Sequence, residues 1–596
     1  MKKVILYFSL VLGLSLGMTS CDDFFQTDPD NIMNDEDYMK EEADMYRGYL
    51  GIQTRMQEVG DQAIWLTDLR SAFLQSTNNA PVSLQNINNY SPTDGNEYAD
   101  PTGYYAVVVA CNDFIVKVDE FYRDTKGAMS DSAKVHIPRL VSSALRYKVW
   151  AYMMLGKIYG EAYYFDTNVT ELTSLKGSDF QYMTMKDLSA KLVDLLNNGI
   201  YCCGQQIPAD LTMDWTYWVN PVTPNEAYDY WKYMSIDYSC LKAECLSWKA
   251  SYTDAYSDWY ELRELTLNAL AYAPLVYTAD DGTQRWKYYM CSKQTMMNYS
   301  EIFYSEKVGW EPHLVSAIFY DYENKQTNRL VQYLCPAYPD DGFYAKPSAY
   351  ALNGMYANSD IRGKDQRFLI TTINGEAAVT KYYYSRLVTS NNGYLRSKLY
   401  EIEPAILLYR GFELHYYLAE AENHLGHWDV ARSLLNNGIA GRFPEVITSN
   451  NGAEYYAETY FPKDTLDNLP VWDSRYGYFF AGDFTNSYPN IGLVGCLGGA
   501  EYDLPTIGDD ASETEKRTFA YDQNRMKAYD LALAEEFQKE FTAEGKAYSY
   551  IVKMAERYKD ADIVYNLVKP KYEGTAYQAQ VKSSLEQSVF IKWTLE

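Results

Sequence analysis

The sequence predicts a mainly α-helical protein: a tetratricopeptide-like helical repeat body joined to a long, irregular, loop-rich half that carries short strands. Three observations predict it. Apolar residues recur at helical spacing in several segments between 141 and 272 and again within 405–440. One of these, Tyr409 to Ala440, reads as two antiparallel helices with the residue order of a tetratricopeptide repeat. Between about 275 and 400 the helical period gives way to Gly, Pro, Asn and short aromatic runs such as Tyr382-Tyr383-Tyr384.

The helices follow in chain order. Leu145, Val149, Tyr152, Gly156 and Tyr159 share one helix face, and Gly160 ends that segment. Met185 to Leu196 is a second helix, stopped by Asn197-Asn198-Gly199. Asn225 to about Trp248 and Asp254 to Tyr272 read as two more. In the clearest unit, Leu414, Tyr417, Leu418, Ala421 and Leu425 line the first helix and Gly426 closes it. Ala431, Leu434, Leu435 and Gly438 line the second. The order Gly426, Trp428, Ala431, Leu435 matches the turn and second helix of a tetratricopeptide repeat, in which small residues let two helices touch. A second irregular region runs from 450 to 518. Helix returns at Tyr521–Glu544, stops at Gly545 and resumes at Ala547–Tyr558. Stacked pairs of this kind bury a shared core. The 596 residues are therefore read as one body over 45–596 with loop-rich insertions, rather than as four domains of about 150 residues.

The first residues set a compartment. Met1-Lys2-Lys3 is basic and Val4 to Met18 is mostly apolar, the pattern of a secretory signal too short to span a membrane. Met18-Thr19-Ser20-Cys21 resembles a bacterial lipobox. Residues 1–20 are expected to be removed, leaving Cys21 as the lipid anchor, with several acyl chains of the palmitate kind holding the chain to a membrane. The acidic, Asn-rich stretch 21–44 has little to bury and reads as a tether.

Lys and Arg number 53 against 80 Asp and Glu, a formal charge of −27, which argues against a nucleic-acid binder and against a polybasic membrane surface. Tyrosine stands at 60, suited to wet recognition surfaces but first of all to a tyrosine-rich core. The eight cysteines after Cys21 are expected to be mostly buried thiols, and neither Cys202-Cys203 nor the spacing of Cys240 and Cys245 fits a metal signature. His424 and His427 read as a solvated helix end, and Asp280-Asp281-Gly282 and Asp340-Asp341-Gly342 as turns rather than calcium loops. No cofactor, no metal ion and no catalytic residue is expected: hydrolase, zinc-protease and phosphate-loop signatures are all missing.

Blocks in a fixed order behind the lipobox resemble the SusD/RagB family of outer-membrane nutrient-binding lipoproteins, over nearly the whole length. Asp68-Leu69-Arg70-Ser71 followed by Asn78-Asn79-Ala80-Pro81 resembles the family's early "LRSD…SNAP" block. Tyr104-Tyr105 with Cys111-Asn112 resembles the helix after it. Ala144-Leu145-Arg146 through Ile158-Tyr159-Gly160 resembles "ALRA…LYG", and Ala419-Glu420-Ala421 with Leu425-Gly426 resembles "YAEA…LG". Glu540, Glu544, Gly545 and Lys546 resemble the C-terminal "E…EGKR" block. Two places depart from the pattern: Ala72 stands where the early block usually has an acid, and Ala547-Tyr548 follows Lys546 in place of the usual Arg.

The resemblance implies a SusD-like fold and a surface lipoprotein of the outer membrane that captures oligosaccharides and delivers them to a SusC-like TonB-dependent transporter, without chemistry of its own. A peptide ligand on the same fold, an outer-membrane glycan hydrolase and a repeat-built scaffold are the alternatives. Sugar recognition needs flat aromatic faces and amide, carboxylate or guanidinium groups. The candidates are Arg70, Asn78 and Asn79, which the resemblance places near the ligand, with Trp215 and Trp218 in an aromatic loop and Trp310 in the irregular region.

Overall fold

The structure is a computed structural model and describes residues 39–125, 128–166, 180–212, 231–273, 275–278, 284–286, 288, 291–292, 314–320, 325–336, 342–364, 370–373, 375–383, 405–439, 475–476, 490–508 and 510–593. Cys21, Trp215, Trp218 and Trp310 lie outside the described residues, as do most of the expected tether and both aspartates of each Asp-Asp-Gly turn. The chain divides into two compact units: one of 1–58, 100–213 and 592–596, the other of 59–99 and 214–591. Among the described residues no helix is long and apolar enough to cross a membrane.

The first unit is built on helices α1 (Glu42–Val59), α2 (Thr102–Thr125), α3 (Asp131–Tyr159) and α4 (Met185–Asn198). Ser130 starts α3 by accepting a hydrogen bond from the Ala133 N–H, and Gly160 ends it at φ 81°. From Leu140 to Ile158 every residue of α3 is buried; α2 and α4 pack on it, and Tyr49 and Gln53 of α1 bond Ser143 and Tyr147. Thr184 caps α4 and Gly199 stops it, as the Asn-Asn-Gly signal predicts. Two short hairpins complete this unit, Glu161–Tyr164 with Gln181–Thr184 and Ile200–Cys202 with Gln205–Ile207.

The second unit holds the repeat pairs α5 (Tyr238–Thr253) with α6 (Tyr256–Ala271) and α7 (Phe412–His424) with α8 (Trp428–Leu435), followed by α9 (Gln523–Phe541), α10 (Ala547–Tyr558), α11 (Asp562–Tyr572) and α12 (Gln578–Gln587). α7 packs against α5, α6, α8 and α9, so the tetratricopeptide-like pair sits at the centre of this unit. Three expectations are corrected. The helix read from Asn225 to Trp248 is, in its described part, a short turn Trp231–Met234 and then α5, because the Asp237 carboxylate accepts the Cys240 N–H and starts a new helix there. The region to 518, read as irregular, contains the helix Glu513–Ala520, opened by a capping box in which Ser512 and Glu515 bond each other's backbone. His424 and His427 are not a solvated end: His424 is buried against the Trp259 ring at 4.1 Å and 2.9 Å from Asp530, and His427 pairs with Glu422.

The core of this unit carries a layer of paired charges. Arg362 meets Asp360 and Glu536, each at 2.7 Å, and Glu540 at 3.2 Å. Arg410 bonds Glu544 at 2.8 Å and Glu540 at 2.9 Å, and Lys381 bonds Glu544 at 2.6 Å. Lys546 pairs with Glu413; Lys553 and Arg557 pair with Glu420. Buried charges persist only when paired and hydrogen-bonded. Burial would raise the Glu544 carboxyl, but Arg410 and Lys381 outweigh it and bring the pKa down to about 2. Glu422, between Arg263 and His427, is likewise drawn down to about 2 against its burial.

This layer also explains why blocks at opposite ends of the sequence occur together. The Asp68 carboxylate accepts the Gly545 N–H at 2.8 Å, and Gln538 accepts the Ala72 N–H at 3.1 Å. At Gly545 φ is 75° and an added Cβ would lie 2.7 Å from that of Ala63, so the close approach requires glycine. Burial raises Asp68 to about 7, and the Gly545 N–H and Lys381 only partly offset it. At the position of the absent acid, it is the backbone of Ala72 that bonds Gln538. All eight described cysteines are buried, none of them in a described disulfide, and Tyr104, Tyr147, Tyr152, Tyr382 and Tyr383 are among the largest fully buried side chains, so much of the tyrosine excess is core.

Candidate ligand-binding site

The early block runs from the buried turn Ile64–Asp68 into the strand Leu74–Ser76, which pairs antiparallel with Ala345–Pro347 in the register Leu74↔Pro347, Gln75↔Lys346, Ser76↔Ala345. One residue further, the Thr77 N–H donates to the Tyr344 carbonyl at 2.9 Å. The chain then turns: the Ala80 N–H donates to the Thr77 carbonyl, the Thr77 hydroxyl accepts the Asn79 N–H, and Pro81 opens the short helix Val82–Asn88. Asn78 and Asn79 thus stand exposed at a turn beside Tyr344.

Tyr344 is tied to Tyr333 twice. Its N–H donates to the Tyr333 carbonyl at 2.7 Å, and the two rings stack with centroids 4.5 Å apart and planes 19° from parallel. Behind Tyr333 the edge of Trp65 meets it at 5.8 Å; Trp65 is buried and its indole N–H donates to Asp61 at 2.9 Å. Tyr98 adds a third phenol, its pKa raised by burial and then by Tyr333, Glu97 and Tyr344. Tyr98, Tyr333 and Tyr344 are each only partly buried. Arg329, exposed, hydrogen-bonds the Tyr333 side chain. The buried Trp65, bonded to the half-buried Asp61, therefore backs a half-exposed tyrosine cluster with two exposed amides at its edge. Such a surface offers π faces to C–H patches and both donors and acceptors to hydroxyl groups.

Of the residues singled out in the sequence, Asn78 and Asn79 follow directly on Thr77, whose N–H bonds the Tyr344 carbonyl. Arg70 lies elsewhere: it is 5% exposed, with its guanidinium 4.2 Å from the Tyr90 ring centroid and 4.9 Å from that of Tyr548. The Tyr90 hydroxyl donates to the Arg70 carbonyl at 2.6 Å. Tyr548, at a place where the chain departs from the family pattern, is thus part of the packing of Arg70. Sequence reasoning did not single out Tyr98, Tyr333 or Tyr344. Nothing local marks them among sixty tyrosines; only the pairing of 74–76 with 345–347 does.

No protein-family model matches the chain, and no curated protein is similar to it in sequence. Its fold does match solved structures. A SusD superfamily protein from Bacteroides thetaiotaomicron VPI-5482 superposes with a TM-score of 0.51 at 12% identity, covering 91% of this chain and 97% of the other. A SusD homolog from the same organism gives 0.51 at 12% identity, covering 94% and 96%. NanU from B. fragilis gives 0.50 at 13% identity, covering 90% and 93%. The chain has a SusD-like fold, as the ordered sequence blocks imply.

Proposed function

We propose that the protein captures an oligosaccharide at the tyrosine cluster and passes it, chemically unchanged, to a SusC-like TonB-dependent transporter in the outer membrane, to which a lipid on Cys21 anchors it. The observation that carries this reading is the Tyr333–Tyr344 stack beside the exposed amides of Asn78 and Asn79. Pyranose rings present flat C–H faces that pack on phenol rings, while their hydroxyls need donors and acceptors in fixed positions, which Asn supplies in one side chain. The SusD-like fold and the lipobox-like Met18-Thr19-Ser20-Cys21 support the transporter partner and the anchor. Two results test the delivery half. A Cys21→Ser variant is expected to leave the membrane fraction, and the wild-type protein to bring down a large barrel partner from mild detergent. A wild-type protein that purifies without any such partner contradicts it.

A further inference from the structure

The hairpin Ile200–Cys202/Gln205–Ile207 closes on a two-residue turn, Cys203-Gly204, with φ 55° and 73°. Both central residues at positive φ is the type I′ pattern, which selects Asn, Asp or Gly at the first position. A cysteine there is out of place for turn chemistry, and an unusual residue held in left-handed backbone is a reason to look for a role.

The geometry supplies one. Successive side chains along a strand point to opposite faces. Cys203 escapes that alternation because its backbone is left-handed, and both sulfurs reach the same side, 3.5 Å apart. Both point at α2: the Cys202 Sγ lies 3.8 Å from the Ile115 carbonyl and the Cys203 Sγ 3.8 Å from that of Val118. The next residue of α2, Asp119, accepts the Cys203 N–H at 2.6 Å. Its carboxylate and the two sulfurs all lie within 4.8 Å of one another. The thiols are buried, but the Asp119 side chain is one-third exposed (32%), and its other oxygen meets only the solvent-exposed Arg123 at 3.2 Å among the described contacts. A path from solvent therefore runs along the carboxylate.

We propose that Cys202, Cys203 and Asp119 form a binding site for a thiophilic d10 cation of the zinc class. On binding, each thiol releases its proton to solvent and donates a sulfur pair to the ion; nothing is oxidised or reduced. Two sulfurs at about 2.3 Å from a tetrahedral ion stand about 3.8 Å apart, so the pair needs only a small rotation. Three protein ligands leave one tetrahedral position for water. The site is absent from the sequence signatures because its third ligand is supplied from α2, far from the pair in the chain.

The test uses the full chain, reduced and stripped with chelator, titrated with cobalt(II) and then zinc. One equivalent of cobalt is expected to produce a sulfur-to-metal charge-transfer band that zinc abolishes. Cys203→Asn suits the turn and keeps the hairpin, and it is expected to lose the band. Asp119→Asn is expected to keep the band and weaken zinc by about tenfold or more. The proposal is overturned if no band forms at one equivalent, if Cys203→Asn binds as wild type, or if peptide mapping of the purified protein finds Cys202 and Cys203 joined as a disulfide.

Discussion

Tyr344 stacks on Tyr333 with ring centroids 4.5 Å apart, although eleven positions separate them in the chain, because the Tyr344 N–H is bonded to the Tyr333 carbonyl at the end of the sheet pair. The stack therefore stands on the same ladder that presents Asn78 and Asn79. Those amides are exposed, so their removal is expected to alter binding without altering the fold. Asn78→Ala and Asn79→Ala should each lower oligosaccharide affinity by up to about tenfold, about 1.4 kcal/mol. Calorimetric titration beside urea unfolding checks this: a shifted unfolding midpoint in step with the lost affinity would assign the amides to stability instead.

Arg362 is the opposite case. It is fully buried and faces Asp360, Glu536 and Glu540. Arg362→Ala leaves three carboxylates around an uncompensated space and is expected to cost about 3–5 kcal/mol. Guanidinium unfolding of the second unit measures it; a loss below about 1 kcal/mol would mean that the carboxylates find other partners.

Stability is expected to depend on acid in two windows. Glu422 and Glu544 hold pKa values of about 2 when folded, against about 4.3 in an unfolded chain. Between these values the unfolded state binds more protons, so their contribution is present above about pH 4.3 and is lost as pH falls toward 2. Asp68 acts in the other direction. Raised to about 7 when folded, it holds a proton that the unfolded chain has released above about pH 3.9, so stability falls as pH rises through that interval. Unfolding midpoints measured from pH 3 to pH 8 should show Glu544→Gln flattening the acid slope and Asp68→Asn flattening the slope up to pH 7. Unchanged slopes in both would contradict the assignment.

Gly199 ends α4 at φ 68° and ψ −151°, a region open to glycine alone, and an added Cβ would stand 2.0 Å from the Ile207 carbonyl oxygen. Gly199→Ala is expected to destabilise the first unit by about 2 kcal/mol or more, read as increased protease cutting within 100–212. Wild-type resistance would show that the hairpin after Gly199 shifts freely.

Helices whose start and stop signals lie within their own few residues were legible in the sequence. α4, read as Met185 to Leu196, begins at Met185 and runs two residues further to Asn198 before the Asn-Asn-Gly signal stops it at Gly199, and the α7–α8 pair follows from the period of Leu414 to Leu435 and the turn at Gly426. Where two helix signals abut, the period misled: Asp237 restarts a helix inside an unbroken apolar pattern. The capping box at Ser512 and Glu515 was present but lay in a polar stretch with little apolar period to draw attention to it. The candidate site was legible only in part. Asn78 and Asn79 came from an ordered block, whereas Tyr333 and Tyr344 join them through a strand pairing of distant segments, which no local pattern encodes. Arg70 was singled out by the same block, yet its guanidinium is spent on Tyr90 and Tyr548.

The central claim is that the tyrosine stack holds a glycan and leaves it intact. The direct measurement is titration of a panel of oligosaccharides onto the purified chain, wild type against Tyr333→Ala/Tyr344→Ala, with the sugars sized by chromatography afterwards. The account expects at least one oligosaccharide to bind the wild type, to lose about 100-fold or more in affinity, about 2.7 kcal/mol, in the double variant, and to be recovered at its original length. Equal affinity in the double variant, or shortened products from the wild type, would contradict it.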